Sequence, residues 1–250
     1  MTFITHRVEE SVAWVKLNRG KVNAINEAVA EELRSVLEAL AGDDSVKAVV
    51  LTGEGSFFSF GLDIPEFVTY SKESFTRFVE KFADLYTYVF LFPKAVVAAL
   101  NGHTIAGGCM IAIACDCRIM VTGKARISLN EVTFGSSLFP GSAEMLKHCV
   151  GARNAESVAF TGAMFSPDAA LNLGLIDEAV PGESIEARAG AIAKEYALRH
   201  GLAFTSIKKL LRAEVADKMR QMDSRFRDEM IDIWYSEETW KRLQEIKIRA

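Results

Sequence analysis

At 250 residues, half hydrophobic and a quarter charged, the chain has ordinary globular composition and enough length to bury a full core. Its net charge of −4 is scattered without a basic stripe, which argues against a nucleic-acid partner. The longest unbroken apolar run, Cys109 to Cys115, is far too short to span a membrane.

Four cysteines, Cys109, Cys115, Cys117 and Cys149, lack a second close pair that would complete a zinc set. Reduced, buried thiols and no metal are therefore expected. The N-terminus shows no basic segment followed by an apolar one, and Ile248-Arg249-Ala250 is not a peroxisomal address. A cytoplasmic protein without membrane contact is the expectation.

In chain order, Phe3 to Val8 and Val12 to Leu17 predict a hairpin around Glu9-Glu10. Asn26 is placed to cap a helix carrying Val29, Leu33, Val36, Leu37 and Leu40 on one face. That helix ends near Gly42-Asp43-Asp44, and Val46 to Thr52 reads as a strand covered on both faces. A glycine-rich turn, Phe60-Gly61-Leu62-Asp63, follows. Residues 71–92 predict a long helix whose stripe of Phe75, Phe78, Phe82, Leu85, Tyr86 and Val89 reads as core. Pro93-Lys94 ends it, and Ala95 to Leu100 is a second buried strand.

Asn101-Gly102 then leads into a second turn, Ala106-Gly107-Gly108-Cys109, a buried helix over Gly108 to Cys115 and a strand over Arg118 to Val121. Strands alternating with helices make the class α/β. Beyond residue 142 helices dominate: Ala143 to Val150, Ala152 to Phe160, Pro167 to Leu173, Ile185 to Arg199 and 204–247. Only Leu175 to Val180 reads as extended. Met219, Met222, Phe226, Met230 and Ile233 share a helix face that is either core or a subunit interface.

The two glycine-rich turns are where chemistry is expected. Backbone N–H groups left unpaired at such turns can converge into an oxyanion hole for a polarised carbonyl. In the first turn Phe57, Phe58 and Phe60 form an apolar wall, Gly61 admits a ligand to the backbone, and Leu62 offers an N–H. Asp63 reads as a cap of the turn in preference to a catalytic acid. In the second, Gly107 and Gly108 open an apolar helix with orphan N–H donors, although tight packing also calls for small residues.

Glu131, within Ile127-Ser128-Leu129-Asn130-Glu131-Val132-Thr133-Phe134-Gly135, is the candidate base, since apolar neighbours would desolvate it and raise its pKa. Asn130 would orient it or cap the local turn. His103 reads as turn packing.

Together these residues resemble the crotonase (enoyl-CoA hydratase/isomerase) superfamily over nearly the whole chain. Leu17-Asn18-Arg19-Gly20-Lys21-Val22-Asn23-Ala24 is similar to the family's coenzyme A-contacting loop, which implies contacts from Lys21, Val22 and Ala24. Phe58-Ser59-Phe60-Gly61-Leu62-Asp63 is similar to its first oxyanion turn, with Leu62 as donor and Ser59, Phe60, Gly61 and Asp63 around the substrate. The segment from Asn101-Gly102 to Gly107-Gly108-Cys109 is similar to its second, with Gly107 as donor and Gly108 and Met110 beside it. Leu173 to Val180 resembles the segment that closes the core.

Hydratases of the family carry a second glutamate directly after Gly-Gly-Cys, where this chain has Met110. The Leu-Asn-Glu setting of Glu131 is closest to the Δ3,Δ2-enoyl-CoA isomerases. The resemblance implies an α/β fold, a crotonase-like spiral of repeated ββα turns with a helical C-terminal region. Residues 1–190 would form the core and 191–250 a trimerisation or cap region, in a homotrimer or dimer of trimers. It further implies an acyl-CoA thioester substrate, coenzyme A entering as part of the substrate and no separate cofactor. Glu131 would then be a single acid/base that shifts a double bond. Phe67, Phe134, Leu138 and Phe139 are candidates for the acyl pocket or for core. Other reactions of the scaffold (hydration, thioester hydrolysis, decarboxylation, dehalogenation) and a non-catalytic acyl-CoA-binding role stand as alternatives.

Overall fold

The computed structural model describes residues 2–247, so Ile248-Arg249-Ala250 lies outside the described residues. Glu10 (φ 48°) and Ser11 (φ 65°) adopt left-handed backbone and fold β1 (Ile4–Glu9) onto β2 (Val12–Leu17) as an antiparallel hairpin. The turn sits one residue later than the sequence predicts. Asn26 caps α1 (Glu27–Gly42), its Oδ1 accepting from the Val29 N–H at 3.0 Å.

Three repeats follow, each with two strands and a helical segment. The first is β3 (Ala48–Gly53), β4 (Phe57–Ser59), α2 (Ile64–Phe67) and α3 (Lys72–Phe90). The second is β5 (Ala95–Leu100), β6 (His103–Ile105) and α4 (Gly107–Ala114). The third is β7 (Cys117–Val121), β8 (Ile127–Ser128) and a single 3₁₀ turn, Glu131–Phe134. The first strand of each repeat joins a six-stranded sheet, β1-β2-β3-β5-β7 followed by β9 (Glu178–Val180), and the second joins a three-stranded sheet, β4-β6-β8. Among the described residues, all strand-to-strand pairings after the hairpin are parallel, and Ile127 of β8 makes one antiparallel bridge to Phe165. Every residue of β3 and β5 is buried, which is why both read as unbroken apolar runs.

The helical half comprises α5 (Pro140–Val150), α6 (Ala152–Thr161), α7 (Pro167–Leu173), α8 (Ile185–Ala197), α9 (Gly201–Trp234) and α10 (Glu237–Glu245), with β9 (Glu178–Val180) between α7 and α8. The expected boundary at residue 190 falls inside α8, which packs on β3 and β5. The helix expected over 204–247 is two helices, broken at Tyr235-Ser236. Ser236 stands at the N-cap position of α10, with Glu237 and Glu238 in its first turn.

The α3 stripe is core as expected: Phe75, Phe78, Phe82, Leu85, Tyr86 and Val89 are all buried. Helix α9 lies across α5 and α3. A buried ionic knot ties it to the sheet: Asp116 accepts from Lys208 Nζ at 2.8 Å and from the Val96 N–H at 2.7 Å, with Arg212 3.1 Å away. Removing one partner of such a knot leaves an uncompensated buried charge, so it constrains where α9 sits.

Candidate active site

Each strand of the small sheet ends in a turn, and the parallel pairing places the three turns side by side. The turn after β4 carries Gly61 and Leu62, the turn after β6 carries Ala106 and Gly107, and the turn after β8 carries Asn130 and Glu131. The Ala106 N–H donates to Ser128 O at 2.8 Å, joining the second turn to the third.

The first and second turns interlock. Gly61 has φ +95°, and a Cβ there would lie 2.7 Å from Ile105 O and 3.1 Å from Gly107 N. A Cβ at Gly108 would lie 2.7 Å from Ser59 O. Among the described residues neither the Leu62 N–H nor the Gly107 N–H donates a hydrogen bond. Gly107 is the first residue of α4, so its N–H has no intrahelical acceptor. Ala106, just before it, has φ 48° and ψ −118°, a strained conformation for a residue with a Cβ.

Polar side chains brace the first turn. Ser59 Oγ accepts from the Gly61 N–H at 3.0 Å and donates to Asn23 O at 2.8 Å. The Phe60 N–H donates to Val22 O at 2.9 Å. Asp63 caps α2 and accepts from Arg19 Nη1 at 2.6 Å, while Arg19 Nη2 reaches Glu66 at 3.0 Å. Asn23, left-handed at φ 50°, donates to Glu54 O and Phe57 O. The loop from Arg19 to Ala24 is thus strapped to the turn, with the Ala24 carbonyl accepting from Arg19 and Lys21 exposed.

Glu131 opens the third turn and is 5% exposed. Burial pushes its carboxyl up to about 8, opposed only by its own backbone N–H. It lines a cavity of about 220 Å³ together with Phe60, Leu62, Ile105, Ala106, Phe134, Phe139 and Trp234. Among the described residues the lining holds no other carboxylate and no lysine, arginine or histidine. Among the described residues four buried side-chain polar atoms lack a hydrogen-bond partner. Three of them, Glu131 Oε2, Asn130 Oδ1 and Trp234 Nε1, belong to residues lining this cavity. Native interiors rarely leave such atoms unpaired.

Other predicted residues lie elsewhere. Phe67 does not line the cavity; it is fully buried with its ring 4.2 Å from that of Phe78. Leu138 lines a neighbouring cavity of about 540 Å³, alongside Met222, Phe226 and Ile233 of α9. Of the methionine face, Met219 and Met230 are core. Met110 is wholly buried in α4 and does not line the cavity. Gly108 packs on Ser59, and Ser59 and Asp63 support the turn without lining the cavity. Asn130 makes no cap hydrogen bond. His103 packs on Phe57 at 5.0 Å, and burial followed by the charge of Arg126 lowers its pKa. Sequence reasoning missed Trp234 and Ile246 in the wall, and Arg19 and Asn23 behind the turn. Asn23 was legible as a residue type that tolerates positive φ; nothing local marks Trp234.

The enoyl-CoA hydratase/isomerase family profile matches residues 7–244. Enoyl-CoA delta isomerase 1, mitochondrial, of Mus musculus is 30% identical over 217 residues, 85% of this chain and 75% of that protein. The short-chain-enoyl-CoA hydratase of Clostridium acetobutylicum is 36% identical over 193 residues, 75% of this chain and 72% of that protein. The crystal structure of human mitochondrial delta3-delta2-enoyl-CoA isomerase superposes with a TM-score of 0.90 at 28% identity, covering 97% of this chain and 95% of that one. With the crotonase fold and the profile both matched, the chain belongs to the enoyl-CoA hydratase/isomerase family of acyl-CoA enzymes.

Proposed function

We propose that this enzyme is an enoyl-CoA isomerase that moves a double bond from the 3 to the 2 position of an acyl-CoA thioester. The observation that carries the reading is that, among the described residues, Glu131 is the only ionisable one lining the cavity. Hydration needs one group to activate water and another to deliver a proton. A double-bond shift needs a single base. Ionised Glu131 removes a proton from C2, and the negative charge spreads onto the thioester oxygen. That oxygen is received by the free N–H groups of Leu62 and Gly107, donors already in place as charge develops. The protonated Glu131 returns its proton at C4, leaving the base as it began. Burial supports the reading too, because a base raised to about 8 can both take and release a proton near neutrality.

Since the ionised form is the base, kcat/KM should rise about tenfold per pH unit below the Glu131 pKa and level off above about pH 8. A flat profile between pH 6 and 9 would remove Glu131 from that role. The reaction itself is tested by following thioester conjugation through ultraviolet absorbance. A 3-enoyl-CoA should gain conjugation, whereas a 2-enoyl-CoA in water should keep it. Comparable loss of conjugation from the 2-enoyl-CoA would make the enzyme a hydratase.

A further inference from the structure

Helix α5 begins without a cap of its own. Phe139 stands at its N-cap position and makes no side-chain cap bond, and Pro140 after it has no N–H. The acceptor comes instead from α9, 82 residues on, where Asp223 Oδ1 accepts from the Gly141 N–H at 2.7 Å. The phenol of Tyr86 on α3 donates to the same carboxylate, 3.0 Å from Oδ1 and 2.9 Å from Oδ2. A Cβ at Gly141 would lie 2.8 Å from Asp223 Cγ and 2.9 Å from Met219 O, so α5 is seated tightly on α9. Aspartate is a poor residue for a helix interior, and here its carboxylate serves the neighbouring helix.

This junction stands at one end of the segment that walls the cavity. Phe134, Ser136, Ser137 and Phe139 all line it together with Glu131. At the other end the Ser136 N–H donates to Glu131 O at 3.0 Å, and Thr239 Oγ1 donates to Gly135 O at 2.7 Å. The Phe139 ring meets Phe82 at 5.2 Å and Tyr86 at 6.5 Å, edge to face in both cases. We propose that Asp223 is a positioning residue for Glu131. By capping α5 from α9 it fixes the short segment from Gly141 back to Ser136, and with it the backbone of the base and the wall beside it. The proposal rests on Glu131 being the base but not on which double-bond reaction it serves.

The test follows thioester conjugation by ultraviolet absorbance on a 3-enoyl-CoA and a 2-enoyl-CoA, so that a shift or a hydration is read. Asp223→Ala should lower kcat about 10–100-fold with KM within about threefold, because a small misplacement of a reacting group costs rate more than binding. Asp223→Asn keeps an oxygen that can accept from Gly141 and should restore kcat to within about threefold of the wild type. Should Asp223→Ala fail to fold, Asp223→Ser takes its place with the same expectation, since its oxygen stops short of Gly141. In a Glu131→Gln background Asp223→Ala should cost less than about twofold more, there being no base left to position.

A folded Asp223→Ala enzyme with kcat within about twofold of the wild type overturns the proposal. So does a loss that appears in KM alone, one that Asp223→Asn does not restore, or one of equal size in the Glu131→Gln background. Each of these leaves Glu131 as the base. Full turnover by Glu131→Gln alone, or a wild type inert on both thioesters, would remove that reading and this proposal with it.

Discussion

The turns after β4 and β6 each carry one unpaired N–H, yet they are held in place by different means. The first rests on side chains: Arg19 grips Asp63 and Glu66, Ser59 bridges Gly61 to Asn23, and Asn23 ties in two carbonyls. The second has almost no polar bracing. It is shaped by steric fit, with Gly108 against Ser59, Gly107 against Leu62, and Ala106 forced to φ 48°. One donor is positioned by a network that charge changes can loosen. The other is positioned by packing that only volume changes can disturb.

The contrast is broken most severely where the two turns touch. Gly61→Ala would insert a methyl 2.7 Å from Ile105 O and 3.1 Å from Gly107 N, separating the donors. Turnover should fall by about 10²–10³-fold, the usual loss for one oxyanion donor. Stability should drop by about 1–3 kcal/mol from overpacking and the positive φ. Near-normal turnover in a folded Gly61→Ala enzyme would show that the turns do not act together.

A smaller effect is expected from the network alone. Arg19→Ala strands Asp63 and Glu66, which are 15% and 32% exposed, and should cost about 1–2 kcal/mol after discounting for solvent. Turnover should fall about tenfold, and the loss of stability should shrink in high salt, measured by denaturant titration at two ionic strengths. The smallest change belongs to the second turn. Ala106→Gly relieves the positive φ and should raise stability by about 1 kcal/mol, with turnover within about twofold. A loss of stability would mean that the Ala106 Cβ contributes more packing than strain.

Legibility followed the range of the interactions concerned. Asn26 as a cap, the α3 aromatic stripe and the strands β3 and β5 depend on neighbours within a few residues, and all were readable. The short strands β4, β6 and β8 were not. With two or three residues each they carry no periodicity, and they exist because the repeat stacks them. The break between α9 and α10 did have a local signal, Ser236 before two glutamates, which the long apolar pattern hid. Phe67 read equally as pocket or core, and one turn of helix carries it into the aromatic core. Trp234 reaches the cavity from the far end of a 34-residue helix, a placement set by the Asp116 knot and by packing on α3 and α5. No sequence window contains that information.

The central claim is that Glu131 works alone between two backbone donors. The most direct measurement is turnover of 3-enoyl-CoA by Glu131→Gln, with thioester binding followed in the same preparation. The rate should fall by at least about 10²–10⁴-fold, the span that a positioned base supplies, while binding changes little. A variant that still shifts the double bond at close to the wild-type rate would contradict the claim.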